Sequence, residues 1–267
     1  PYSLCSDPAD RTGYTIAVKR EPASRGGSAA MHQLREGDML EVSAPRNAFP
    51  LADGPGTSVL LAGGVGITPL MAMARVLAAA GRPFVLHCFI RSEEHLAFRQ
   101  TLTSPAFATH VRQHPALAPE AVGALLQQVF GDMRPGDHAY VCGPGPFIDA
   151  AAQAAAAHVA PGALHTESFT AAPVVKPDDG GFDVVLALSG RTCRVSPDKS
   201  IAQALLDMDI PVEMSCEQGI CGTCLTRVIE GCPDHRDMYL LDEEKAANDR
   251  MCICVSRALS DRLVLER

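Results

Sequence analysis

The chain has 267 residues, 47% of them hydrophobic, with ten cysteines and a formal net charge of −8. That length holds two or three compact domains, and the acidic balance argues against a nucleic-acid-binding surface. No run approaches the apolar length of a membrane span, no signal peptide is visible, and the scattered cysteines do not form a disulfide framework, so a cytoplasmic protein is expected.

The chain opens Pro1-Tyr2-Ser3, without a methionine and already in strand-like sequence, which reads as part of a longer polypeptide. Residues 14–20 and 38–43 read as strands, separated by glycine- and proline-rich turns. They predict the second part of a β domain. Arg25-Gly26-Gly27-Ser28 offers backbone amides, a hydroxyl and a positive charge, with Lys19 close by, a set able to hold a phosphate. A solvated turn is the plainer meaning of those residues, and Tyr2 on its own reads as a core residue.

From Thr57 the composition changes. Residues 58–62 form a continuous apolar run, as a parallel strand buried on both faces requires. The run enters Gly63-Gly64-Val65-Gly66-Ile67-Thr68-Pro69, followed by a helix over 70–80 that Gly81 stops. Pro69 suits a first helical turn, where a missing N–H costs nothing. Strand, glycine loop and helix together present amide donors to a diphosphate; packing alone is the competing use of such a loop. A second strand over 83–90 ends at Arg91 and Ser92, where open α/β sheets meet the adenosine ribose. A third, over 138–142, runs through Cys142 into Gly143-Pro144, with a helix over 147–159 and a last strand over 164–169. Cys142 sits at a strand's carboxyl edge, although a small buried cysteine is the default reading.

Residues 171–180 read as a linker by their proline, glycine and acidic content. A hairpin over 183–196 follows, then a helix from Ser200 with Ile201, Leu205 and Met208 on one face. Strands over 225–230 and 263–265 and a short helix over 242–248 complete the chain. This order fits a small β-grasp domain. His235, between Asp234 and Arg236, reads as a solvated turn residue.

The most informative stretch is Cys216-Glu-Gln-Gly-Ile-Cys221-Gly-Thr-Cys224. Its C-x4-C-x2-C spacing, with a late fourth cysteine, is the plant-type ligand pattern of a two-iron two-sulfur cluster. Gly219 and Gly222 let the loop turn sharply and aim N–H groups at sulfur. The gap favours Cys254 as fourth ligand over Cys252, which also reads as a core residue. A zinc site from Cys221, Cys224, Cys252 and Cys254 is the competing arrangement.

In this order, Pro1-Tyr2-Ser3-Leu4, Arg25 to Ser28, Gly63 to Pro69, Cys142-Gly143-Pro144, Glu167-Ser168-Phe169 and the cysteine pattern resemble the phthalate dioxygenase reductase and vanillate demethylase reductase family. The resemblance covers the whole chain. It implies a multi-domain α/β and α+β protein: part of an antiparallel FMN-binding β-barrel (1–55), a parallel α/β NAD(P)-binding domain (56–170), a linker (171–180) and a β-grasp ferredoxin (181–267). By resemblance, Tyr2 and Ser3 line the flavin ring, while Lys19, Gly26, Gly27 and Ser28 hold the FMN phosphate. Thr68 approaches the flavin. Gly63, Gly64, Gly66 and Pro69 meet the nicotinamide nucleotide, Arg91 its adenosine end, and Cys142 and Gly143 its nicotinamide. Phe169 lies between flavin and cluster.

The implied activity is electron transfer from NADH (or NADPH) through FMN to the cluster and on to a terminal oxygenase. That partner is Rieske-type, or a haem-thiolate monooxygenase to which the same module is also found fused. No side-chain acid or base is required. Residues 181–267 hold 10 basic and 15 acidic residues, a charge suited to steering toward a basic oxygenase surface or simply to solvation. Two other readings stand beside this one: a ferredoxin-type carrier without its own NAD(P)H oxidation, and a zinc-stabilised binding module.

Overall fold

The computed structural model describes residues 2–22, 26–169, 176 and 178–267. Pro1, Arg25 and most of the expected linker lie outside these. The chain forms two compact units, residues 2–169 and 170–267.

In the first unit, a five-residue helix α1 (Gly27–Met31) precedes the α/β core. That core runs β1 (Ser58–Gly63), α2 (Ile67–Ala79), β2 (Phe84–Ile90), a single turn α3 (Arg99–Leu102), β3 (Val111–Pro115), α4 (Pro119–Gly131), β4 (His138–Gly143), α5 (Gly145–Ala155) and β5 (Leu164–Ser168). The strands form one parallel sheet in the order β3-β2-β1-β4-β5. Every residue of β1 is buried because both faces are covered. Leu60 and Ala62 pack with Leu70, Met71, Ala74 and Leu77 of α2. Val59 and Leu61 pack with α4 and α5 through Leu126, Phe130, Ala151 and Ala155. Alternation along the strand thus distributes one apolar run between two cores.

Helix α2 ends where Gly81 turns left-handed at φ +62°. The Arg82 N–H returns to the Leu77 carbonyl at 2.9 Å and the Gly81 N–H to Ala78 at 3.2 Å, the paired bonds of a Schellman cap. Strand order reverses at β1, which has β2 on one side and β4 on the other. The crevice at the carboxyl ends of β1 and β4 is where such sheets bind ligands.

Residues 2–57 depart from expectation. Where strands were expected over 14–20 and 38–43, the described residues hold one isolated antiparallel bridge, Leu4 to Ile16. Strand residues are held by paired neighbours and a half-buried face, and here Met39 and Val42 are 97% and 67% exposed. The end of this segment is nevertheless tied to the sheet. The Ala52 N–H donates to the Tyr140 hydroxyl at 2.7 Å, and the Thr57 N–H to Asp137 Oδ1 at 2.8 Å.

The second unit is built on a mixed sheet in the order β10-β8-β12-β6-β7. It comprises β6 (Phe182–Leu186), β7 (Thr192–Val195), α6 (Ile201–Leu206), β8 (Leu225–Glu230), β9 (Pro233–Asp234), α7 (Asp242–Ala247), β10 (Arg250–Cys252), β11 (Arg257–Ala258) and β12 (Arg262–Leu265). β6 and β7 make the expected antiparallel hairpin, and β12 runs parallel to β6. Ser200 caps α6 by accepting the Gln203 N–H at 3.1 Å. Ile201 and Leu205 then pack on Val184, Leu186, Leu263 and Leu265, which is the β-grasp arrangement of helix on mixed sheet. The stretch that enters this unit is anchored by charge. Asp179 accepts from Arg236 Nη1 at 2.7 Å and lies 3.4 Å from Arg257 Nε, with all three side chains at least nine-tenths buried.

No described helix is long and apolar enough to cross a membrane.

Candidate nucleotide-binding site and metal centre

At the carboxyl end of β1 the backbone of Gly63 to Gly66 turns into α2, and three close approaches explain its glycines. A Cβ on Gly66 would meet the Cys142 carbonyl oxygen at 2.0 Å, and one on Gly63 would meet Phe147 and Gly143. Gly143 is equally confined by Phe147 and Gly63. The glycine loop and the end of β4 therefore touch backbone to backbone, which side chains would prevent. Gly64, exposed and left-handed at φ +55°, has open space where its Cβ would be. Thr68 is buried and its hydroxyl donates to the Val65 carbonyl at 3.0 Å, while Pro69 occupies the first turn of α2. Gly63, Gly64, Gly66, Thr68, Pro69, Cys142 and Gly143 are thus gathered at one crevice.

Cys142 is fully buried, and burial, reinforced by the neighbouring Glu167, pushes its thiol well up. Burial of this kind favours the neutral thiol over the thiolate. Glu167 stands opposite it across the β4–β5 ladder. Its Oε2 is buried without a hydrogen-bond partner, and burial raises its carboxyl to about 7. Sequence reading placed Glu167 only within a motif, because nothing local distinguishes a buried glutamate from a solvated one. Between the ordinary value of 4.5 and about 7, the folded chain keeps a proton that the unfolded chain has lost, so stability falls as pH rises through that window. Glu167→Gln is therefore expected to stabilise the protein by about 2 kcal/mol at pH 8 and to leave it little changed at pH 5, measured by urea unfolding.

Arg91 is exposed at the end of β2, and the Ser92 hydroxyl is 2.7 Å from His95 Nδ1. Tyr2 is 41% exposed rather than in the core. Its hydroxyl lies 3.8 Å from where a Cβ on Gly27 would be, so the chain start and the glycine turn meet. That turn is no simple loop: Gly26 caps α1 at φ +114°, Gly27 begins the helix, and Ser28 Oγ accepts the Glu21 N–H at 3.1 Å. Ser3 is half-buried, whereas Lys19 is exposed and ion-paired to Glu21 at 2.7 Å. Phe169 follows β5 with an exposed ring.

In the second unit, the Cys216 sulfur accepts three backbone N–H groups, from Gln218 at 3.3 Å and from Ile220 and Cys221 at 3.4 Å. A loop that wraps a sulfur in amides is prepared for a thiolate. Gly219 and Gly222 are left-handed at φ +66° and +74°, and each is confined: a Cβ on Gly222 would strike the Tyr239 ring at 2.3 Å. Cys224 is buried, and hydrogen bonds from the Cys252 and Cys254 thiols hold its own thiol below the ordinary range. Cys254 also feels Cys216 and the Gly219 backbone, whereas Cys252 faces Asp237. A cleft of about 240 Å³ bounded by Met214, Glu217 and Cys254 opens beside the loop. Cys216, Cys221 and Cys224 share one loop in which amides wrap the first sulfur, and Cys254 follows β10, a set that fits a cluster of iron and sulfide. Among the described residues no three His, Cys, Asp or Glu side chains are disposed to hold a single metal ion.

His235 corrects its sequence reading. Its side chain is only 10% exposed, with Nε2 3.2 Å from Asn248 Oδ1. The polar neighbours that suggested solvent are themselves engaged, Asp234 with Arg236 and Arg236 with Asp179. A larger cleft of about 410 Å³ lies at the start of β4, between residues 133–138 and 158–163, at the opposite end of that strand from the glycine crevice.

A parallel nucleotide-type sheet and a cysteine-loop β-grasp unit in one chain define an iron–sulfur oxidoreductase. Residues 60–153 match the oxidoreductase NAD-binding domain family, and residues 185–259 the 2Fe-2S iron-sulfur cluster binding domain family. The chain is 45% identical over 267 residues to a vanillate O-demethylase oxidoreductase of Pseudomonas sp. strain HR199, covering 99% of this chain and 84% of that protein. It is 40% identical to a phthalate dioxygenase reductase of Burkholderia cepacia, covering 99% and 82%. A solved phthalate dioxygenase reductase, described as a modular structure for electron transfer from pyridine nucleotides to [2Fe-2S], superposes with a TM-score of 0.68 over 100% of this chain and 83% of that one. An intact type IV self-sufficient cytochrome P450 monooxygenase superposes with a TM-score of 0.81 at 38% identity, and this chain spans 35% of it. The chain belongs to the phthalate dioxygenase reductase and vanillate O-demethylase oxidoreductase family.

Proposed function

We propose that this chain passes electrons from a nicotinamide nucleotide through FMN to a two-iron two-sulfur cluster, and from there to a terminal oxygenase. One observation carries the reading: a Cys216 sulfur wrapped by three backbone amides is encoded in the same chain as a parallel sheet with a glycine crevice at its switch point. Cys216, Cys221, Cys224 and Cys254 hold the cluster. Gly63, Gly64, Gly66 and Pro69 bring backbone amides and the start of α2 to the diphosphate, with Arg91 at the adenosine end. Cys142 and Gly143 border the nicotinamide, and Thr68 faces the flavin. Tyr2 and Ser3 contact the flavin ring, Lys19, Gly26, Gly27 and Ser28 hold its phosphate, and Phe169 lies between flavin and cluster. FMN, when bound, supplies the change from two-electron to one-electron chemistry.

The division at residues 55/56, 170/171 and 180/181 and a place in the cytoplasm belong to the same reading. The relatives named after vanillate O-demethylase and phthalate dioxygenase support an oxygenase as the acceptor, whether Rieske-type or a fused haem-thiolate enzyme. The test is an anaerobic titration of FMN-reconstituted protein with NADH, followed by visible absorbance. The flavin and cluster bands are expected to bleach together. Protein that bleaches with dithionite but not with NADH would be a carrier alone, and the proposal would fail.

A further inference from the structure

Behind the cysteine loop lies a charge that the electron-transfer reading leaves unused. The Gly219 carbonyl accepts the Met238 N–H at 2.9 Å, and a Cβ on Gly219 would stand 2.9 Å from Asp237 Cα. The ligand loop and residues 237–238 are therefore in backbone contact. The Asp237 side chain is wholly buried. Its Oδ2 accepts the N–H groups of Leu240 at 2.8 Å and Tyr239 at 3.2 Å, and its Oδ1 accepts the Ser256 hydroxyl at 3.2 Å. Three donors converging on both oxygens are the environment of a carboxylate, the acceptor-only form of the side chain.

Among the described residues no lysine or arginine is ion-paired with it. A cationic candidate is His235, whose Nδ1 lies 3.7 Å from Oδ1 and has no hydrogen-bond partner. Hydrogen bonds hold this charge in place without neutralising it.

We propose that Asp237 is a positioning and tuning residue that sets the midpoint potential of the cluster, through the field of a buried carboxylate packed against Gly219 of the ligand loop. The inference rests on the cluster reading above. An electron added to the cluster is a negative charge placed near a fixed one, so the carboxylate disfavours reduction. A unit charge at about 10 Å and an effective dielectric near 20 changes an equilibrium constant by about tenfold.

The test uses full-length holoprotein in a redox titration followed by visible absorbance and electron paramagnetic resonance. Asp237→Asn keeps the shape and removes the charge. It is expected to favour the reduced cluster by about tenfold, a shift of about 59 mV to more positive potential for one electron. Ser256→Ala keeps the charge and removes one donor, so its cluster is expected to be harder to reduce than the wild type. An Asp237→Asn cluster with the wild-type potential would overturn the proposal, as would shifts of the same sign in both variants, the mark of altered packing. Should Asp237→Asn bind no cluster, Ser256→Ala decides: a negative shift supports the proposal, and none or a positive one overturns it. Wild-type protein without a cluster would instead refute the ligand reading, a result distinct from an unchanged potential in a loaded variant.

Discussion

Cys224→Ser is expected to remove the iron–sulfur chromophore and to reduce NADH-driven reduction of a one-electron protein acceptor to background. NADH-driven reduction of ferricyanide, which takes electrons from a flavin directly, should stay within about twofold, since the nucleotide crevice belongs to a separately folded unit. Cys224 is the most buried of the three loop cysteines, and both late thiols act to lower the pKa of its own. Its loss removes one ligand, while the Cys216 sulfur stays held by three backbone amides and the Cys221 sulfur by the Thr223 hydroxyl, in a loop fixed by the left-handed turns at Gly219 and Gly222. Cys216→Ser and Cys221→Ser should behave alike. Cys232 is exposed, and Cys232→Ser should change nothing. The fourth position is read by the same assay: Cys254→Ser should lose the chromophore and Cys252→Ser should keep it, and the reverse would move the ligand to Cys252.

Gly66→Ala is the second change with a large expected effect. The added methyl would sit 2.0 Å from the Cys142 carbonyl oxygen, and both groups are backbone, so no side-chain rotation relieves the overlap. Either the β1–α2 turn or the end of β4 must move, at a cost of about 3 kcal/mol. The displaced elements are the walls of the proposed nucleotide crevice. Ferricyanide reduction should accordingly show a KM for NADH raised at least about tenfold, together with a lower unfolding midpoint. Gly64→Ala is the control. Its Cβ meets open space, and only the left-handed φ of +55° resists the change, at about 1 kcal/mol. A Gly66→Ala protein with wild-type KM and stability would contradict the close approach.

These contrasts show what was legible in the chain beforehand. The cysteine loop could be read because ligand spacing is a local property, and β1 because six consecutive buried positions leave an unbroken apolar run. Ser200 announced α6 for the same local reason. β3 could not be read: Val111-Arg-Gln-His-Pro115 is an edge strand with mostly polar, partly exposed side chains, held by β2 rather than by its own pattern. α4 did carry signals, Pro119 in its first turn and apolar residues at 122, 125, 126, 129 and 130, but no motif directed attention to it. In residues 2–57 the apolar alternation was present, yet a strand also needs a neighbour, and the described residues pair only Leu4 with Ile16. Asp237 was the least accessible of all. In Asp234-His-Arg-Asp237 two aspartates look alike, and only the packing of Gly219 and Ser256 decides which one is wholly enclosed.

The most direct test of the central claim is elemental: iron and acid-labile sulfide measured on anaerobically purified protein, with the electron paramagnetic resonance spectrum after dithionite. Two irons and two sulfides per chain, and a single rhombic signal on one-electron reduction, are predicted for a plant-type cluster. Protein containing zinc, or neither iron nor sulfide, would contradict the assignment of Cys216, Cys221, Cys224 and Cys254.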